Sequence, residues 1–507
     1  MSTDSITTAK PLGALQARRG VLLTFVALLL AGVFAGLQIS TWPARLRYPG
    51  EQNDVEGIVF FETLHLRRGV PIYALPSPGR FDGSVYGPLC YLLGARLIDS
   101  EQPEYFPLRV PSVVGMLGCA ACSSLLAFWL SRRRWAAVLA PLVFLSYGFV
   151  TRFGTSARCD IFAVFLVFAG FILAHRYFAG REFFLAVPLM LLGLFYKQQF
   201  VAGPLAVILA LVLEKRYQRA AQFAGLLGVG GLLILGFFQF VAFPGQAFLS
   251  HFALYNAAGF SWSQFKYAGL MYLGVVLLVP ILLGLEFLRA HQNRMVLCYL
   301  CSSVVISMVT VARVGSDSNY WFEPVLVVST LVAALVAERS DGRKGSPEVV
   351  VLLGITLFLA QFFSPAGPRP EDLAADRAIQ EYLRRNFPRG TPALSHYAGD
   401  LGRAGLELPI SNLAQYRYLI AQGRFSDQEV VGELERRRFG VIVLNFDLQP
   451  AGNSRRSQSD FPEAWDTAIL ANYELAVSLE MPDPEKVWPE DRFYVWVPRA
   501  DVPRASE

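Results

Sequence analysis

The amino-acid sequence predicts a polytopic α-helical membrane protein of about eleven spans, followed by a small soluble α/β domain at its C-terminus. Three observations lead there. Of the 507 residues, 54% are hydrophobic and only 17% charged, with a mean hydropathy of +0.40; soluble domains run nearer a quarter charged. Long apolar runs recur from residue 21 to residue 363, and beyond residue 365 the chain turns abruptly polar. Eleven spans of about 20 residues would use roughly 220 of the chain. The remainder is too long for connecting loops alone, so a simple channel with short loops fits poorly.

The first apolar run, residues 21–39, follows Arg18 and Arg19. It exceeds the roughly 7–15 residues of a signal peptide core and no small-x-small site follows. It therefore reads as an uncleaved first helix with a cytoplasmic N-terminus. Further runs lie near 107–130, 135–150, 159–178, 183–196, 200–213, 220–243, 267–288, 295–312, 320–337 and 347–363. The segment 84–98 is short for a span and interrupted by Gly87-Pro88, so it reads as an interfacial helix within an outer loop, 40–106. That reading places thirteen Lys and Arg in short cytoplasmic loops, among them Arg132, Arg133, Arg134, Arg343 and Lys344, against five in the short loops opposite. The positive-inside rule favours it. The outer loop and the tail then share the extracytoplasmic side of a plasma (inner) membrane.

Residues 1–365 thus form a transmembrane module and residues 366–507 an extracytoplasmic domain. The tail carries amphipathic helical patterns at 371–386, 412–422 and 426–438, with strand patterns at 439–446 and 492–498. Pro78-Gly79, the stretch 365–368 and the stretch 451–453 mark turns. His396 and Asp400 read as turn and cap residues. The six cysteines sit in or beside apolar segments. The pairs Cys119/Cys122 and Cys298/Cys301 lack the further ligands a zinc site needs and read as small-residue helix packing.

The net charge is +5, but placement matters more than the total. The outer loop holds Glu51, Asp54, Glu56 and Glu62. Asp54 and Glu56 open an amphipathic helix; at this spacing they do not share a face, although side chains at a helix start can converge on a ligand. Capping of that helix is the bland alternative. Facing them are the outer basic residues Arg152, Arg158, Lys197, Lys266 and Arg313. Lys266 reads as a lipid-facing anchor. Arg158, Lys197 and Arg313 lie within a residue or two of a span, where unpaired charge is costly unless it serves a function. Cations beside carboxylates suit an anionic phosphate headgroup with an acid or base next to it.

These residues carry a resemblance. The chain shows Asp54-x-Glu56-Gly57 in the first outer loop, Tyr86-Gly87-Pro88-Leu89 before an interfacial helix, Arg158-x-Asp160 at the head of a later span, Lys197-Gln198 between two short spans, and Asn319-Tyr320-x-x-x-Pro324 near a penultimate span. In order and sidedness this resembles the GT-C superfamily of integral-membrane glycosyltransferases, in the bacterial branch related to protein O-mannosyltransferases and the lipid A aminoarabinose transferase. The resemblance implies transfer of a sugar from a polyprenyl-phosphate donor to an extracytoplasmic lipid, glycan or protein acceptor, with inversion. It implies catalytic roles for Asp54, Asp160 and, less directly, Glu56, donor-phosphate contacts for Arg158, Lys197 and Arg313, and a substrate pocket with Tyr86, Gln198, Asn319 and Tyr320. Some relatives use a divalent cation, magnesium or manganese, for which Asp54 and Asp160 would supply oxygen ligands; spacing leaves metal dependence open. The expected partners are the lipid-linked donor, an envelope acceptor and membrane lipids, with no nucleic acid. A polytopic transporter or lipid flippase is the alternative, but transporters gather polar groups near the bilayer midplane, whereas here they collect at one rim.

Overall fold

The computed structural model describes residues 10–77, 79–84, 86–256, 259–341, 346–364, 367–448, 461–482 and 492–500. Pro78, residues 365–366 and 451–453, Arg343 and Lys344 lie outside the described residues. Among the described residues six helices are long and apolar enough to cross a membrane: Arg19–Arg47, Phe106–Ser131, Tyr217–Ala242, Trp262–His291, Arg294–Val311 and Ser318–Ser340. The run at 135–150, expected as one helix, is two: Arg134–Leu145 and Gly148–Gly154 meet at an angle of 73°. The second of these leads straight into the loop that bears Arg158. The shorter apolar helices Glu182–Tyr196, Ala202–Leu213 and Pro347–Leu359, with Asp160–Arg176, occupy the remaining apolar runs.

Helix Pro88–Leu97 has 10 residues. It rises about 15 Å, half of a hydrocarbon core of about 30 Å, so it is too short to cross. Its approach to the bundle is close. A Cβ on Gly87 would lie 2.0 Å from the Phe195 carbonyl oxygen, and only glycine lets this turn seat against the end of helix Ala186–Tyr196. Residues Ser318–Ser340 form the most deeply buried of the long helices, packed against Arg134–Leu145, Phe106–Ser131 and Leu278–His291. Asn319 sits at the mouth of this central helix.

The tail forms a four-stranded sheet with the order β1-β2-β4-β3 (β1 Ala393–Ser395, β2 Val441–Leu444, β3 Tyr473–Glu480, β4 Arg492–Pro498). β1 and β2 are parallel; β4 is antiparallel to both its neighbours. All of β2 is buried, so its apolar run lacks polar alternation because both faces are covered. Val441 and Val443 pack with Ile58 and Phe61 of helix Asp54–Arg67. Ile442 and Leu444 pack on the other face with Phe81, Tyr416 and Trp465. The outer loop therefore supplies side chains to both cores of the tail. Cys90 and Cys159 form a disulfide with a Cα–Cα distance of 5.8 Å, a pairing the sequence reading did not draw; Cys119, Cys122, Cys298 and Cys301 are free.

Candidate active site

Asp160 is the first residue of helix Asp160–Arg176 and is fully buried. Its Oδ2 accepts from Arg158 Nε at 2.8 Å, and its Oδ1 accepts from Asn319 Nδ2 at 2.6 Å and from Lys197 Nζ. Asn319, 159 positions from Asp160, is thus drawn to the same point as Arg158 and Lys197. Lys197 Nζ lies 4.9 Å from the centre of the Tyr86 ring and 5.8 Å from that of Tyr320, and the Arg158 guanidinium lies 4.6 Å from the Phe153 ring. Aromatic faces favour cations at this range. Tyr86 precedes the interfacial helix rather than lying on it; the Gly87 contact fixes it beside Lys197.

Asn53 caps helix Asp54–Arg67: its Oδ1 accepts from Glu56 N at 3.0 Å and from Arg158 Nη1 at 3.3 Å. The cap therefore brings the helix start to the edge of the cation cluster. Asp54, the next residue, is exposed, and its carboxylate accepts only the adjacent Val55 N–H among the hydrogen bonds of the described residues. Arg313 donates to the Asn256 carbonyl and lies near enough to Lys197 and Tyr320 for its charge to act on both. Gln198 instead donates to the Phe252 carbonyl at 3.2 Å.

Glu56 is not at the site, contrary to the expected catalytic role. It is wholly buried and ion-paired with Arg109, 2.8 Å from Nε. Its remaining capacity is taken by the backbone N–H groups of Gln52 and Ala157. Arg109 also caps the carbonyls of Arg45, Leu46, Tyr48 and Gly50. Glu56 and Arg109 together shape the loop that presents Asp54 and fasten it to the segment 157–160. A charged residue within the run 107–130 was the signal that marks Arg109. The Cys90–Cys159 bond adds a second fastening, because Cys159 lies between Arg158 and Asp160.

Of the expected ligand pair Asp54 and Asp160, the Asp160 carboxylate does not suit a divalent cation. Three N–H donors occupy the Asp160 carboxylate, two of them charged, and a metal ion there would face Arg158 and Lys197. Among the described residues no three His, Cys, Asp or Glu side chains gather as a metal site.

Away from this cluster, two groups of acids lie between the outer loop and the tail. Glu62 accepts from Gly83 N, Ser84 Oγ and Ser411 Oγ. Burial, with Asp82 adding to it, pushes its carboxyl up to about 8, and burial takes Asp82 itself to about 6. Glu51 accepts from Gly399 N and is raised well above the usual carboxylate range, first by burial and then by Asp400. Asp400, expected as a cap, is an interface residue. Burial lifts it to about 7 against the pull of Arg403, which also pairs with Asp376.

No family profile matches the sequence, and no characterised protein matches it in sequence. The fold is that of the GT-C integral-membrane glycosyltransferases. ArnT from Cupriavidus metallidurans, the lipid A aminoarabinose transferase, superposes in its apo state with a TM-score of 0.54 at 10% identity, covering 92% of this chain and 97% of ArnT. The same enzyme bound to undecaprenyl phosphate gives 0.54 at 11% identity over 92% and 98%.

Proposed function

We propose that the protein is a glycosyltransferase that moves a sugar from a polyprenyl-phosphate carrier to an acceptor hydroxyl on the extracytoplasmic side of a plasma (inner) membrane, which it crosses eleven times. One observation carries the reading: a buried Arg158–Asp160–Lys197–Asn319 cluster at the mouth of the central helix, beside the open carboxylate of Asp54. In a GT-C fold this is where a lipid phosphate meets an acceptor.

Asp160 holds Arg158 and Lys197 in place, and these two with Arg313 stabilise the negative charge that grows on the leaving phosphate. Asp54 takes the proton from the attacking hydroxyl. With one base and no covalent nucleophile, the anomeric carbon inverts. Tyr86 and Tyr320 line the pocket beside Lys197. The apolar helices offer the carrier tail a path, and ArnT's complex with undecaprenyl phosphate supports a carrier of that class. The Cys90–Cys159 disulfide supports an oxidising compartment on the side of the site, in agreement with the distribution of basic loops.

Two measurements test the reading. Undecaprenyl phosphate added to the purified protein should raise its Tm, and substitution of Lys197 by Ala should remove that rise. Mass spectrometry of envelope lipids and glycans from a deletion strain should show a product lacking one sugar, which would name sugar and acceptor together. An unchanged envelope together with no binding of the carrier sinks the proposal.

A further inference from the structure

A cleft runs between the outer loop and the tail, with two lobes of about 740 and 900 Å3 that share Arg47, Pro49, Arg384 and Arg403. Its charges come from separate elements. Arg47 ends helix Trp42–Arg47, Arg384 lies in the last turn of helix Pro370–Asn386, and Arg389 follows in the next turn. Arginines at helix C-termini are common because they complement the helix dipole, but that accounts for each one singly and not for their convergence on one cavity. Among the described residues Arg47, Arg384 and Arg389 form no ion pair, and all three are exposed. The Arg384 guanidinium is pulled down by partial burial and then by Arg403 and Arg389. Arg384 therefore stands close enough to Arg389 and Arg403 for their charges to repel. Acids share the lining, Glu101 and Glu104 in one lobe and Asp376 and Glu381 in the other, and Asp376 pairs with Arg403.

Three exposed guanidiniums without carboxylate partners, converging on one cleft, make a receptor for an anionic sugar. Guanidinium forks match phosphate and carboxylate oxygens. We infer that this cleft holds the phosphate- or carboxylate-bearing glycan of the acceptor. The inference rests on the proposed transferase activity and names the chemistry of its acceptor. Position supports it. Arg47 and Tyr48 in the cleft and Asp54 at the active site belong to one segment, whose carbonyls are fixed by Arg109. Seven residues span at most roughly 25 Å, so a glycan of a few sugars seated in the cleft would extend a free hydroxyl to Asp54.

The test uses the full-length protein in phosphatidylcholine nanodiscs with glucose 1,6-bisphosphate as a soluble probe. A triple Arg47→Ala, Arg384→Ala, Arg389→Ala variant should bind the probe at least tenfold more weakly than the wild type. The Lys triple should retain part of the affinity. Undecaprenyl phosphate should shift the Tm of all three proteins equally. Nanodiscs doped with phosphatidic acid distinguish the sources: competition with the probe assigns the cleft to a lipid headgroup, and its absence, with probe binding intact, assigns it to a water-borne glycan. The second result upholds the glycan receptor; the first overturns it in favour of a lipid-headgroup site. Equal probe affinity in the wild type and the Ala triple, or no probe binding by the wild type, also overturns the receptor. Loss of carrier binding by the wild type would instead count against the transferase reading.

Discussion

A carboxylate that is to take a proton from a hydroxyl needs an open side and a free lone pair. Asp54 has both, while Glu56, two residues on, has neither. Replacing Asp54 by Asn should leave expression, Tm and carrier binding unchanged while lowering transfer by at least 100-fold, the usual scale of a general base. Asp160→Asn should act differently. It strips the partner from two buried cations, and breaking such a pair costs about 3–5 kcal/mol, so Tm should fall along with activity. Glu56→Gln should resemble Asp160→Asn in stability. A Glu56→Gln protein with unchanged Tm but no transfer would return Glu56 to the chemistry. Glu62 supplies a pH prediction. Its folded pKa of about 8 stands above the ordinary 4.5, so the folded state holds the proton more tightly than the unfolded chain. Stability is then fullest below pH 4.5 and drains away as pH rises toward 8. Tm should drop by on the order of a few degrees between pH 5 and pH 8, and Glu62→Gln should flatten that slope.

Among the elements, the Cys90–Cys159 bond ties the interfacial helix to the loop between Gly148–Gly154 and Asp160–Arg176, closing a span of 69 residues. Loop-closure entropy assigns such a cross-link about 4 kcal/mol. Reduction, or the double Cys90→Ser, Cys159→Ser variant, should lower Tm and weaken the carrier-induced shift. A variant lacking only the four free cysteines should behave as the wild type. Thiol alkylation that finds Cys90 and Cys159 free in the native protein would refute this. Single elements were largely legible from residue order. The helices at 371–386 and 412–422 and the strand at 492–498 fall within a residue of where periodicity puts them. The break at Ser146 and Tyr147 was not legible, because an apolar run of 16 residues reads the same whether straight or bent. β1 has three residues and the helix Ala398–Ala404 seven, too short for any period to register.

At the scale of the whole molecule, the boundary drawn at residue 365 follows polarity, but packing does not follow it. Ile58, Phe61 and Phe81 belong to the outer loop and lie in the cores on either side of the tail's sheet. A protein truncated after residue 364 should therefore aggregate or be degraded rather than persist as a trimmed membrane module, as size-exclusion chromatography of detergent extracts would show. The cation positions of the site were readable because charge is scarce near spans. Their partners were not, since nothing local links Asn319 to Asp160.

Arg109 gives this a temporal meaning. The carbonyls it caps lie 59 to 64 residues upstream, so the loop bearing Asp54 leaves the ribosome well before the side chain that shapes it. Asp160 waits for Lys197, and then for Asn319, 159 residues later. Maturation of the centre is thus postponed until the tenth apolar run of the chain has been synthesised and inserted. A polypeptide that stalls during biogenesis carries an unfinished centre.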